Sequence, residues 1–258
     1  MLGFNGGLVG KERLATSAAL GASGLWLPNE QNVAKRANKW PFGPTEVPTI
    51  GAAFGGGFYA GSISHTANGV ATHALIVAPR ATGATGTGYT LTTMRAWSTT
   101  GIIPAGTSTF DGRANTNIFI GIGISNYPAA QFCTTLSIGG YTDWYLPSRY
   151  ELDIAYFNLK PTSDANYTQA NTGVLEGINA YSVPPRPSQW TSGNPSRTSV
   201  AAFQSGGTEA FTDQLHWTSN QRGDNQVVSI IDFRHGYAST GNSFSSNLSV
   251  RAFRRIAL

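Results

Sequence analysis

Thirteen carboxylates, four histidines and one cysteine are the side chains of this 258-residue chain best suited to chemistry. Their spacing argues against most of it. His65, His73, His216 and His235 stand far apart in sequence and show no metal-ligand spacing. Cys133 is alone, which excludes an intramolecular disulfide and a cysteine-based zinc site. Its apolar place in a helical pattern makes it a small buried hydrophobe. Ser, His and Asp all occur, but no nucleophile elbow joins them. The carboxylates offer no acid/base pair for glycoside hydrolysis, since Asp143 and Glu151 already have structural explanations. The glycine-rich run Gly83–Gly88 lacks a lysine and a following helix, so it reads as a loop and not a phosphate cradle. Glu209, Asp213, Asp224 and Asp232 could offer oxygens to a structural calcium but form no dense acidic loop. No catalytic residue, metal ligand set or cofactor is nominated. The chain is expected not to be an enzyme.

Composition points the same way. Only 12% of residues are charged, half the usual share, while Gly numbers 31 and Ser, Thr and Asn abound. That describes a loop- and strand-rich body with a neutral polar surface, of the kind exposed outside cells or on virus particles. The formal charge is +4, but Lys35, Arg36, Lys39 and Arg251, Arg254, Arg255 form no stripe, so nucleic-acid binding is not expected. No run of 18 apolar residues exists, so nothing is expected to span a membrane, and the N-terminus does not read as a signal peptide.

The densest stretch is Gly139–Leu152. A glycine pair stops one helix, a short aromatic segment follows, and Ser148-Arg149-Tyr150-Glu151 is a capping box that starts another. Leu152, Ala155, Tyr156 and Leu159 form the buried face of that second helix, which ends before Pro161. The first helix is expected over Asn126–Leu136, burying Ala129, Phe132, Cys133 and Leu136. Strands are expected at Gly55–Ile63, His73–Pro79, Tyr89–Trp97, Gln226–Arg234 and Leu248–Ile256, with a long polar connection over Ser98–Asn117. Residues 160–215 show no periodicity, which is unusual inside a domain and points to function or partial disorder. Tyr167, Tyr181, Arg186, Trp190 and Arg197 are the candidate ligand contacts there, although any one could simply pack the loop.

Residues 1–50 read as an extended arm and 51–258 as the body. The arm's start is too rich in glycine to fold alone, yet it carries apolar pegs, Phe4, Leu8, Trp26 and Trp40 among them. A short helix over about residues 29–38 is capped by Asn29 and stopped by Trp40-Pro41. It either packs on its own domain or belongs to an arm that anchors on another subunit; the Pro-rich linker Pro41–Pro48 favours the arm.

Two resemblances bear on setting and fold. Met1-Leu-Gly-Phe-Asn-Gly-Gly-Leu8, Ser23-Gly-Leu-Trp26, Asn29-Glu-Gln31 and Trp40-Pro41 resemble the start of virion proteins of marine tailed phages. Gly140-Tyr-Thr-Asp143-Trp144-Tyr-Leu146-Pro147-Ser148, Glu151-Leu152, Trp217-Thr-Ser219 and Val250-Arg251 with Phe253-Arg254 resemble a C-type-lectin-like domain. It is the type found at the C-terminus of bacterial collagen-like adhesins and in phage virion proteins. Asp111-Gly112 with Ala114-Asn115-Thr116 and Cys133–Leu136 also fit it. The resemblance implies an α+β body with two helices on a small antiparallel sheet, long loops, and a terminal strand pairing with the opening strand. Trp144, Leu146 and Trp217 would be core. The calcium-dependent sugar loop of such lectins is missing: Asn194-Pro195-Ser196 and Trp217-Thr218-Ser219 stand where its motifs would be. The expectation is a homo-oligomeric phage virion protein on capsid or tail. Its arm would hold other virion proteins, and its body would adhere to host-surface glycan. The alternative is a decoration or adaptor protein cementing subunits without a host ligand.

Overall fold

The apolar run beginning at His73 forms a central strand of the main sheet. The computed structural model describes residues 47–85, 97–101, 104, 106–168, 176–222, 227–239 and 244–258. Phe4, Leu8, Trp26, Trp40, the helix over about 29–38 and all of the Tyr89–Trp97 strand except Trp97 lie outside them. Residues Thr49–Ala257 cluster as one unit of α+β architecture.

The main sheet holds β1 (Ala53–Phe54), β2 (Gly57–Ile63), β3 (His73–Val77) and β8 (Phe253–Ala257) in the order β1-β2-β3-β8. The short β4 (Ser182–Val183) pairs with the end of β2, and every pairing is antiparallel. Ala74–Val77 are wholly buried. Their β-branched and aliphatic side chains fit a strand covered on both faces. The β2–β3 register shifts between Tyr59 and Gly61. Gly61 has φ of +134°, and a Cβ there would meet Ile154 and Asn158 at 2.6 Å, so the irregularity lets α4 (Arg149–Leu159) approach the strand. A second sheet holds β5 (Leu215–Arg222), β6 (Val227–Asp232) and β7 (Ala238–Ser239), also antiparallel.

The terminal strand departs from expectation. It begins at Phe253, later than expected, and pairs with β3 instead of the opening strand. Upstream of it, Ser249 bridges to His216 and Arg251 to Ala84. Val250, Ala252 and Phe253 are all buried, so both faces of this stretch are covered.

Helix α4 lies against β2 and β4 and against β5 and β6. Residues Glu151–Tyr156 and Leu159 are all buried, a broader surface than one amphipathic stripe predicts. Ser148 opens α4 with the expected capping box. Its Glu151 is wholly buried. Glu151 Oε2 accepts from Ser148 N at 2.8 Å, Ser148 Oγ at 2.9 Å and Gly112 N at 3.0 Å, while Oε1 accepts from Tyr145 Oη at 2.8 Å.

Beyond the one-turn α1 (Arg80–Gly83), Gly112 is the first residue of a helix that periodicity does not reveal, α2 (Gly112–Gly123), part of which falls in the expected polar connection. Ile118, Ile120, Ile122 and Ile124 alternate with Phe, Gly and Asn-type neighbours instead of recurring at helical spacing. Within α2, four β-branched residues and three glycines also lower helix propensity. Buried polar contacts hold the helix in place. Asp111 caps it by accepting from Ala114 N at 2.8 Å. Asn115 is wholly buried, donates to Ser108 O and Ser219 Oγ, and accepts from Ser108 N. Phe119 stacks on Tyr127, and Trp97 meets both edge-to-face while donating to Thr218 O at 2.9 Å. The short α3 (Pro128–Thr134) buries Ala129 and Cys133 as expected; Phe132 and Leu136 are half-buried.

Trp144, Leu146, Pro147, Ser148 and Trp217 are buried, and Trp144 donates to Tyr141 O at 3.0 Å. Asp143 faces Arg254 Nε at 2.8 Å and Nη2 at 3.2 Å, and that guanidinium lies 3.8 Å from the Tyr141 ring centroid.

Candidate ligand groove

The unpatterned region is ordered by side-chain hydrogen bonds instead of regular structure. Lys160, the C-cap of α4, is 1% exposed. Its Nζ donates to Asp164 O at 2.5 Å, Asn166 Oδ1 at 2.7 Å and Pro195 O at 3.4 Å. Burial lowers its pKa, because desolvation disfavours the ammonium. Asn166 donates to Pro195 O and Thr191 O and accepts from Tyr156 Oη at 2.6 Å. Thr198 N donates to Lys160 O at 2.9 Å. These bonds pin the strap 194–200 beside the end of α4.

Between strap and helix lies a groove of about 490 Å³. Phe157 and Asn158 of α4, Asn194–Val200 of the strap, and Thr49–Ile50 line it. Asn158 is oriented by donating to Ala60 O at 2.8 Å. The lining offers hydroxyls, amides, one aromatic ring and the guanidinium of Arg197; no carboxylate is among it. Such a surface can hydrogen-bond and stack but holds no acid/base pair.

The five candidate contacts separate. Arg197 is exposed and lines the groove. Trp190 is 5% exposed and belongs to the core, stacked with Phe157 at 5.8 Å and against Tyr156. A ring enclosed in that way offers no face to a ligand, which corrects its place among the contacts. Arg186 is withdrawn too. It pairs with Asp153, sits 4.6 Å from the Phe157 centroid and 4.9 Å from that of Trp190, and is pushed down to about 9 by burial. Both residues stand behind Phe157 and hold it. Tyr181 stacks on Phe110 at 4.4 Å, and Tyr167 packs edge-on to Tyr237 at 4.7 Å; both are half-buried and neither lines the groove. Asn158 and Phe157 were missed because, on a helix, they read as the edge of a buried face.

The histidines are not all apart. His65 and His73 meet with ring centroids 4.5 Å apart. Arg255 Nη1 lies 2.7 Å from Asp111 Oδ1 and 3.2 Å from His65 Nε2. Burial first, then Arg255, lowers both histidines, His73 to about 4. Asp111 is lowered, its hydrogen bonds from Ala114 and Arg255 outweighing the larger single effect of burial. His216 is 3% exposed and held near 3 by burial, with Nδ1 2.9 Å from Gln214 O. Of the calcium candidates, Glu209 is engaged by Arg251 at 3.0 Å, Asp232 accepts from Arg234 N at 2.8 Å, and Asp224 lies outside the described residues. Among the described residues no group of three or more His, Cys, Asp or Glu side chains is arranged to hold a metal ion. Nor is any described helix long and apolar enough to cross a membrane.

Compared with known proteins, the chain matches no family model, no curated sequence and no solved structure.

Proposed function

We propose that this is a phage virion structural protein whose residues 1–50 anchor it to capsid or tail. Its C-type-lectin-like body would adhere to host-surface glycan through the groove beside α4. The observation that carries the adhesive reading is the groove lining: hydroxyls, amides, one aromatic edge and a guanidinium, with no carboxylate. Saccharides are held by such groups, and without an acid/base pair a bound sugar is retained and not cleaved. The resemblance to adhesin and virion domains in Gly140–Leu152 and Trp217–Ser219 supports the setting.

The test is a glycan array of host-envelope saccharides probed with the full chain and with Ser196→Trp, which fills the groove from an exposed position. Saccharide retention that the bulky residue removes is the expected result. Absence of retention, or equal binding by the variant, would overturn the reading. Deleting residues 1–40 should abolish incorporation into particles while the body stays folded.

One observation favours the decoration reading. Ile120 and Ile122 on α2 are 52% and 50% exposed, the kind of apolar surface that a neighbouring subunit covers. Particles that lose integrity with Ile120→Ser/Ile122→Ser, in a protein that retains no glycan, would establish that alternative.

A further inference from the structure

The arginines of the described structure are mostly accounted for. Arg186, Arg234, Arg251, Arg254 and Arg255 pair with Asp153, Asp164, Glu209, Asp143 and Asp111 respectively. Arg80 donates to Gly207 O, and Arg149 lies over the Tyr150 ring. Arg113 and Arg197 are both exposed and make no ion pair or hydrogen bond among the described residues; of the two, Arg197 lies in the groove. No carboxylate in the lining competes for it.

A second cation lies behind the same wall. The Lys160 ammonium bonds only to neutral oxygens, one of them the carbonyl of Pro195, which itself lines the groove. The side chain of Asp164, the acid acting on Lys160, is engaged by Arg234 at 2.8 Å. Charge buried in protein is screened less than charge in water, so the ammonium adds to a positive potential in the groove. The strap contributes donors as well. Thr198 N and Val200 N are used internally, but the amides of Ser196, Arg197 and Ser199 make no bond within the described protein. Free amides on one strap, with a forked guanidinium beside them, form a donor-rich surface that suits an anion.

We propose that the groove takes an acidic saccharide and that Arg197 binds its anionic group. The proposal rests on the glycan-binding reading and narrows it. Carboxylate and sulfate esters share the chemistry required, namely planar or tetrahedral oxygens that accept from a guanidinium and nearby amides.

The experiment uses the full chain and one saccharide backbone prepared in neutral, carboxylated and sulfated forms, with binding measured by calorimetry at low and at high salt. The expected result is at least tenfold tighter binding of an acidic form, weakened by salt. Arg197→Gln should remove that preference, so that acidic and neutral forms bind alike, and Arg197→Lys should restore part of it. The tighter of the two acidic forms then names the anionic group. Because Arg197 is exposed and without a partner, the melting temperature of both variants should equal that of the parent. Equal binding of neutral and acidic forms, or a preference that survives Arg197→Gln, overturns the proposal and leaves the glycan-binding reading standing. Failure to bind any form overturns both.

Discussion

Replacing Glu151 by alanine tests whether one buried carboxylate ties the two long helices to the aromatic segment between them. Four donors converge on Glu151: the Ser148 amide and hydroxyl, the Gly112 amide and the Tyr145 hydroxyl. In Glu151→Ala the hydroxyls can turn to other partners, but the amides of Gly112 and Ser148 stay in place at two helix starts. Leaving a buried donor unsatisfied costs about 1–3 kcal/mol each. Loss of a negative charge at two positive helix ends adds about 0.3–1 kcal/mol apiece. Burial opposes this, since it raises the Glu151 pKa by disfavouring the charged form, and water entering the space would recover part of the loss. The expected net destabilisation is about 3–5 kcal/mol. Glu151→Gln keeps one oxygen but presents an amide to donors, so it should fall between alanine and wild type. Gly112→Ala should act on the same knot, because its Cβ would meet Glu151 Oε2 at 2.5 Å, Ser148 N at 2.5 Å and Leu146 O at 2.6 Å. Helix propensity alone predicts the opposite sign, a gain of about 1 kcal/mol at most. Urea denaturation of the three variants and the alanine double mutant measures both the costs and their coupling. A loss under about 1 kcal/mol for Glu151→Ala, or a stabilised Gly112→Ala, would refute the reasoning.

Three further outcomes are expected. Acid should destabilise the fold through His73 and His216, whose folded pKa values of about 4 and about 3 lie below the unfolded value of 6.5. The unfolded chain takes up the proton first, so stability is full above about pH 6.5 and is lost as pH falls toward 4 and then 3. For His216 the ceiling is on the order of 5 kcal/mol, and His216→Asn, whose amide can still donate to Gln214 O, should flatten the pH–stability curve. Lys160→Met removes the donor to three oxygens and should destabilise the protein by about 2–4 kcal/mol, with faster hydrogen exchange on the strap 194–200 than elsewhere. Trp190→Ala should lower stability by about 3–5 kcal/mol as a core truncation, against less than about 1 kcal/mol for Arg197→Ala; thermal melts that reverse this order would return Trp190 to the surface.

Local features of this protein are legible in its sequence. The capping box at Ser148, the apolar strand at His73 and the buried Cys133 follow from short-range rules: a serine three residues before a glutamate, a run without polar interruption, a lone thiol on an apolar face. Helix α2 does not follow from such rules, because its isoleucines run out of helical phase. What holds it is a wholly buried Asn115 bonded to Ser108 and, across 104 residues, to Ser219.

The sequence by itself determined the capping box, the central strand, the composition of a neutral polar surface and the scarcity of chemistry-bearing groups. Only the tertiary structure decided which of the loop's aromatic and basic residues face outward. Trp190 and Arg186 look like ligand contacts in a polar stretch, yet α4 offers them Phe157 and Asp153, and they turn inward. Arg197 receives no such partner and remains in the groove. The β2–β3 hairpin brings His65 to His73, and only long-range packing brings Arg255 to Asp111. The physical reason is common to all of these: a side chain's exposure depends on what the distant chain brings against it, and residue type and spacing encode only its neighbours.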